Sequence, residues 1–213
     1  MQITILGSTG QVGKAVINQA LKAKYQVKVL VRNPEKLGDL QAKVQVVQGN
    51  LLDEASVEKS LVGSIAVINV SGAVKESNQV EKFKQIGPIL VSKMKQLGIT
   101  RLINISLAVI HLPHEKLDFQ RKIIRILVNL FFKEKKLVNE AVMAAVLSEK
   151  SLDWTFVRPA FFSSKSGSGN VLADDTKMPG TTIMLEDLAV FLVDQVASTD
   201  WIRKAPLVAS RID

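Results

Sequence analysis

Short apolar runs alternate with longer stretches of helical periodicity along the 213-residue chain. The first run, 3–6, stops at a glycine, and a helical pattern follows over 14–21. Positions 25–31 alternate and are rich in β-branched residues, which predicts a second strand, and 44–48 predicts a third. Segment 53–61 reads as a short helix with Asp53 at its N-cap. Positions 65–70 are nearly all apolar, as expected of a strand covered on both faces. A long helical pattern spans 78–97. Gly87-Pro88 predicts that it kinks or divides, and Gly98 predicts its stop. Positions 101–106 predict a fifth strand.

The pattern then changes. A loop carrying His111 and His114 leads into two helical segments, 115–132 and 134–150. The apolar set Leu117, Ile123, Ile124, Ile126, Leu127, Val128, Leu130, Phe131 and Phe132 is too broad for a simple amphipathic face. It reads as a buried helix or a dimer contact, and alternatively as an apolar wall over a pocket. Positions 152–159 predict a sixth strand ending at Pro159. The Ser-, Gly- and Lys-rich stretch 160–179 reads as a long flexible loop. A short edge strand at 181–184, an amphipathic helix at 186–196 and a last strand at 205–209 complete the chain. Strand-helix alternation on this scale predicts an α/β fold: one Rossmann-type domain over 1–213, a doubly wound parallel sheet with helices on both faces. The substrate side is expected from about 107–150 and 160–185.

Composition narrows the chemistry. The absence of cysteine excludes disulfides, Cys-ligated zinc and thiol catalysis. No apolar run reaches the length of a membrane span, and no basic-then-apolar leader is visible, so no membrane partner and a cytoplasmic location are expected. The net charge is +8, but the basic residues are dispersed. They cluster only at Arg121-Lys122 with Arg125 and at Lys133-Glu134-Lys135-Lys136, with no nucleic-acid motif, so no nucleic-acid partner is expected. Two histidines without an evident third ligand make no zinc pattern, and no metal is expected.

The turn after the first strand carries the strongest chemical signal. It reads Gly7-Ser8-Thr9-Gly10-Gln11-Val12-Gly13, with glycines every third residue. A strand-turn-helix of this kind aims backbone N–H groups at an anion, where the helix dipole also favours negative charge. Gly7 permits the sharp turn, Gly10 lets a pyrophosphate approach, and Gly13 lets helix and strand pack closely. The alternative is a tight turn that holds no ligand. The second strand ends at Arg32, about twenty residues on, where an acidic residue would bind the ribose 2′-hydroxyl of NAD(H). An arginine suits a 2′-phosphate, so NADP(H) is favoured and NAD(H) is possible. The alternative is a solvated arginine at a strand end.

Together these motifs resemble the atypical short-chain dehydrogenase/reductases, in particular the small NAD(P)-binding proteins grouped with NmrA-like and flavin/biliverdin-reductase-like members. The residues that carry the resemblance are Gly7 to Gly13, Val31-Arg32-Asn33-Pro34, Gly49-Asn50-Leu51-Leu52-Asp53, Leu152-Asp153-Trp154-Thr155-Phe156-Val157-Arg158-Pro159 and the segment from Met184 to Ala189. The resemblance covers nearly the whole chain. It implies that Ser8 to Val12 hold the pyrophosphate, Arg32 and Asn33 the 2′-phosphate, and Asn50 and Leu51 the adenine. It places Val70, Ser71, Gly72 and Ala73 along the cofactor, Ser106 beside the nicotinamide, and Pro159 and Ala160 over that end.

One departure bears on activity. Tyrosine-dependent members use Tyr-x-x-x-Lys, whereas the single tyrosine here is Tyr25, and Phe132 stands four residues before Lys136. Lys136 is then a ribose-binding candidate without a phenolic proton donor. The remaining catalytic candidates are Ser106, which orients or hydrogen-bonds an acceptor, and His111 or His114, whose imidazoles suit acid–base work. Two functions follow: an NADPH-dependent reductase of a quinone, a flavin or a similar small acceptor, or a non-catalytic NADP(H) sensor acting through a protein partner. A homodimer is compatible with both. A sugar-nucleotide epimerase is disfavoured by the missing tyrosine.

Overall fold

The computed structural model describes residues 1–72, 79–113, 115, 119–131, 133–163, 165–167 and 169–211. The strands at its centre are β1 (Gln2–Leu6), β2 (Gln26–Val31), β3 (Gln45–Gln48), β4 (Ala66–Asn69), β5 (Arg101–Ile105) and β6 (Asp153–Pro159). The order is β3-β2-β1-β4-β5-β6, followed by β10 (Leu207–Ser210) and β8 (Val171–Asp174). Every pairing through β10 is parallel, and β8 closes the edge antiparallel. The order reverses between β1 and β4. At such a switch point, crossovers diverge to opposite faces and leave a crevice at the carboxyl ends of the strands.

Period-two alternation gives each strand two apolar faces. Ile3, Ile5, Val29, Ile68, Ile103 and Val157 enter one core, and Leu6, Leu30, Val67, Leu102, Trp154 and Phe156 the other. Helices α1 (Gln11–Lys22) and α6 (Leu185–Asp194) pack together over the first core, with Val16, Ile17, Ala20, Leu188 and Leu192 buried. The second is covered by α2 (Glu54–Leu61), α3 (Gln79–Gln96) and α5 (Lys133–Ser148). Asp53 caps α2 as expected, accepting from the Ser56 amide at 3.2 Å and from the Ser56 hydroxyl. The chain is thus the expected Rossmann-type α/β fold with helices on both faces.

Several local expectations are corrected. Helix α3 runs through Gly87-Pro88 without dividing. A Cβ at Gly87 would lie 2.9 Å from Ala145 Cβ, so this glycine serves close packing of α3 on α5. A 3₁₀ segment, Pro34–Lys43, follows β2, where no element was expected; Leu37 and Leu40 anchor it in the core. The stretch 160–179 holds β7 (Phe161–Ser163) as well as β8. β9 (Thr182–Met184) pairs in parallel with β7 in a small sheet of its own, and so is not an edge of the main one. Asp187 holds the rest of this region down. It is buried, accepts the Gly169 amide at 2.8 Å and the Ser210 hydroxyl at 2.5 Å, and so ties 169 to α6 and β10. Of the readings offered for the apolar helix, full burial does not hold for α4 (Phe119–Phe131): Ile123, Ile126 and Leu130 are exposed, while Val128 faces a cavity.

Candidate functional site

The glycine turn and the end of β4 meet at the switch point. Gly7 has φ +80°, the left-handed region that favours glycine, and a Cβ there would sit 2.5 Å from the Ser71 amide nitrogen. A Cβ at Gly13 would lie 2.3 Å from the Gly7 carbonyl oxygen. Both positions therefore need glycine for protein packing. Gly10 differs: its φ of −77° is ordinary, and a Cβ there would meet only the Gly7 oxygen, at 3.6 Å. The protein leaves that side of Gly10 open. Gly10 is also the N-cap of α1, with no side-chain cap bond and no acidic residue in the first turn. The first N–H groups and the positive end of the dipole are left to be met from outside. Beside them the Ser8 hydroxyl is buried with no hydrogen-bond partner among the described residues. These features together fit an anionic group such as a pyrophosphate.

Arg32 and Asn33 follow directly on β2, at the same end of the sheet, and both are exposed. Asn50, after β3, folds its side chain back to accept the Leu52 amide at 2.8 Å, and Leu51 beside it is half-buried. A crescent of sequence-predicted residues, Gly7 to Gly13, Arg32, Asn33, Asn50 and Leu51, thus lies along the carboxyl ends of β1, β2 and β3.

Next to it, a cavity of about 430 Å³ opens at the ends of β4, β5 and β6. Val12, Val70, Ser71 and Gly72 form one side, and Ser106, Pro159 and Ala160 another. Ala73, His114 and Phe132 lie outside the described residues. The Ser106 amide donates to the Val157 carbonyl at 2.8 Å, while its buried hydroxyl has no partner among the described residues. The remaining walls are mostly apolar, with Leu107, Val109, Val128, Phe161, Phe162 and Met178, and Asn139 and Thr181 add polar groups. No titratable side chain lines the cavity among the described residues.

The other two catalytic candidates lie off this cavity. His111 is half-buried with Nδ1 3.1 Å from the Leu112 carbonyl oxygen. Lys136 donates to Asn129 Oδ1 at 3.1 Å and stands 3.5 Å from Glu140.

Two buried networks hold the walls, and sequence reasoning missed both. Asn69 and Asn104 face each other on neighbouring strands, joined side chain to side chain at 2.6 Å. Asn69 Oδ1 accepts the Ser71 amide at 3.1 Å and hydroxyl at 2.5 Å, and Asn104 donates to the Ile105 carbonyl at 2.7 Å. The Ile-Asn pair near the carboxyl end of both strands, 68–69 and 103–104, was the available signal.

The second network clamps the loop after β5. Arg158, on β6, donates to Glu115 at 2.6 and 2.9 Å, to the Ile110 carbonyl at 2.9 Å, and to the Ala205 carbonyl. Arg121, on α4, donates to Glu115 at 2.5 Å and to the Ala108 carbonyl at 2.7 Å. Both guanidiniums are buried. Burial pushes the Glu115 carboxyl up, but hydrogen bonds from Arg158 and Arg121 outweigh this and hold it below its ordinary range. Loop 108–110 is fixed as a cavity wall by charges that never enter the cavity. Among the described residues, no group of acidic or histidine side chains is arranged to hold a metal.

Relatives agree with this geometry. The chain is 26% identical over 164 residues to a (4-alkanoyl-5-oxo-2,5-dihydrofuran-3-yl)methyl phosphate reductase of Streptomyces griseus, covering 77% of this chain and 49% of that protein. It is 26% identical over 161 residues to an NAD(P)H azoreductase of Xenophilus azovorans, covering 75% of this chain and 48% of that one. The chain spans about half the length of these curated relatives. A short-chain dehydrogenase/reductase of Veillonella parvula, solved in complex with NADP, shares the fold: TM-score 0.75 at 16% identity, over 98% of this chain and 94% of that one. The NAD(P)H-binding family matches residues 7–199, and the chain belongs to that family.

Proposed function

We propose that this protein is an NADPH-dependent reductase of a small, flat, apolar acceptor such as a quinone or a flavin. The observation that carries the reading is the cavity, which joins the ends of the cofactor crescent to apolar walls through the unpartnered Ser106 hydroxyl. In this reading Gly7 to Gly13 and Ser8 receive the pyrophosphate at the open N-terminus of α1. Arg32 and Asn33 take the 2′-phosphate, and Asn50 and Leu51 border the adenine. Val70, Ser71 and Gly72 flank the cofactor where it enters the cavity, and Pro159 and Ala160 close over its reactive end.

A bound nicotinamide supplies hydride; the chain supplies position and electrostatics. The Leu107, Val109 and Phe162 walls exclude water and stack the acceptor. Ser106 donates its hydroxyl hydrogen to an acceptor oxygen or nitrogen and so fixes its orientation. A quinone takes one hydride and one proton, and the hydroquinone anion formed first is far less basic than an alkoxide. Its proton therefore comes from solvent, and no side-chain acid is required. A ketone would need such an acid, and the described residues of the cavity offer none. The similarity to an NAD(P)H azoreductase and to a (4-alkanoyl-5-oxo-2,5-dihydrofuran-3-yl)methyl phosphate reductase supports the reductase reading.

A second reading, a non-catalytic NADP(H) sensor acting through a protein partner, is favoured by the same lack of a titratable group among the described residues of the cavity. Steady-state oxidation of NADPH against a panel of quinones and flavins separates the two. The reductase reading expects turnover with at least one conjugated acceptor and none with simple ketones. Tight NADPH binding without turnover on any acceptor supports the sensor.

A further inference from the structure

The basic, apolar segment at α4 has no part in the site chemistry. Of all the described helices, α4 separates apolar from polar positions most sharply. A surface helix normally turns its apolar stripe inward. Here Val128 lines the cavity and Arg121 is locked to Glu115, while Ile123, Ile126 and Leu130 are 47%, 60% and 70% exposed. At the α-helical period the three exposed residues fall within an arc of about 60°, opposite Val128 and Arg121. Helix α4 thus covers the cavity with one side and presents an apolar stripe outward on the other.

The charge around the stripe selects what covers it. Apart from the buried Arg121 and from Lys136, which stands 3.5 Å from Glu140, segment 119–137 carries Lys122, Arg125, Lys133 and Lys135 against the single acid Glu134. Lys122 and Lys133 are exposed. A second copy packed stripe to stripe about a two-fold axis would bring these basic flanks against their own copies. An anionic lipid surface accepts both features at once: acyl chains bury the stripe and headgroups pair with the lysines. An apolar face with a basic border, too short to span, is the signature of a helix lying in a membrane interface. No described helix is long and apolar enough to cross a membrane, so the contact is peripheral.

We propose that the outer face of α4 docks the protein on an anionic membrane surface, with Ile123, Ile126 and Leu130 in the interface and Lys122 and Lys133 on the headgroups. Phe161 and Phe162, 65% and 54% exposed, border the same cavity and give it an apolar edge. A lipid-soluble acceptor, such as a quinone with an isoprenoid tail, then reaches the cavity without crossing water. This last step rests on the reductase reading; the docking does not.

The test is flotation of the full-length protein with vesicles of phosphatidylcholine alone or containing phosphatidylglycerol. The wild-type protein floats with the anionic vesicles only, and rising salt releases it, because each basic residue at such a surface contributes about a fivefold factor. The double variant I126E/L130E lowers partitioning about tenfold or more. K122E/K133E lowers it too, and removes the preference for anionic lipid. Both keep the wild-type thermal melt and NADPH affinity, since these positions touch neither core nor site. Wild-type protein that ignores anionic vesicles, or an I126E/L130E variant that partitions equally, overturns the proposal. So does a wild-type dimer, seen by sedimentation, that I126E/L130E dissociates while no vesicle binding occurs: that result assigns the stripe to a second copy. Failure of the reductase reading shows separately, as no NADPH oxidation with a water-soluble quinone in any variant, and leaves the flotation result standing.

Discussion

The Asn69 side-chain amide donates to Asn104 Oδ1 at 2.6 Å, linking adjacent positions of β4 and β5 where both strands run into the cavity. Through it the loops carrying Ser71 and Ser106 are held in one frame. Burying two amides in a parallel sheet is costly unless every polar atom finds a partner. Here they find each other, Ser71 and the Ile105 carbonyl.

Asn69→Ala leaves the Ser71 groups and one end of Asn104 without partners. The expected loss is about 1–3 kcal/mol of unfolding free energy, measured by urea titration, together with weaker NADPH binding. An unchanged midpoint and unchanged affinity would remove the pair from the account.

The glycines of the first turn predict contrasting outcomes. Gly13→Val drives a side chain into the Gly7 carbonyl and the Ser8 backbone, and should cost about 1–3 kcal/mol or prevent folding outright. Gly10→Val meets no protein atom closer than 3.6 Å from its Cβ, so its melt should stay near that of the wild type while nucleotide binding is lost. A Gly10 variant that still binds NADPH would place the pyrophosphate elsewhere.

Much of this was legible in the sequence, and the limits have physical causes. Period-two apolar runs and the glycine turn predicted β1 to β6 and the tight turn at the end of β1, because burial on both faces and close backbone approach leave residue-level signatures. Gly87-Pro88 does not divide α3, because a helix break and a helix-packing notch use the same residue. β7 and β8 hid in a Ser- and Gly-rich stretch whose order comes from distant partners, Asp187 and β10. The Arg158 and Arg121 clamp on Glu115 joins three segments far apart in the chain, and local pattern carries no trace of such a meeting. The apolar set of α4 left a buried helix, a dimer contact and a pocket wall open, because periodicity shows that a face is apolar and not what covers it.

Glu115 gives the fold an acid limit. The two arginines hold its folded-state carboxyl below the ordinary value, against the upward push of burial. The unfolded chain therefore binds the proton more readily in acid. The stability from this carboxylate is complete above the ordinary glutamate pKa of about 4.3 and is lost as pH falls through the lower folded value. Glu115→Gln should cost about 3–5 kcal/mol at neutral pH, since it leaves two buried guanidiniums uncompensated. It should also flatten the acid limb of a plot of unfolding free energy against pH. An acid limb as steep as the wild type's would contradict the assignment.

Arg32 sets the cofactor preference in the proposed function. Arg32→Asp replaces a phosphate partner by a ribose partner and adds repulsion toward a 2′-phosphate. NADPH affinity should fall about tenfold or more, with NADH affinity held or improved. Parallel titrations of variant and wild type measure this, and an unchanged preference would take Arg32 out of the site.

The central claim is that the open N-terminus of α1 and the crescent beside it hold a phosphorylated nicotinamide cofactor. Titration of the purified wild-type protein with NADPH and with NADH, followed by nicotinamide fluorescence, tests it most directly. Binding of both is expected to be saturable and one-to-one, with NADPH the tighter ligand. Absence of saturable binding by either would contradict it.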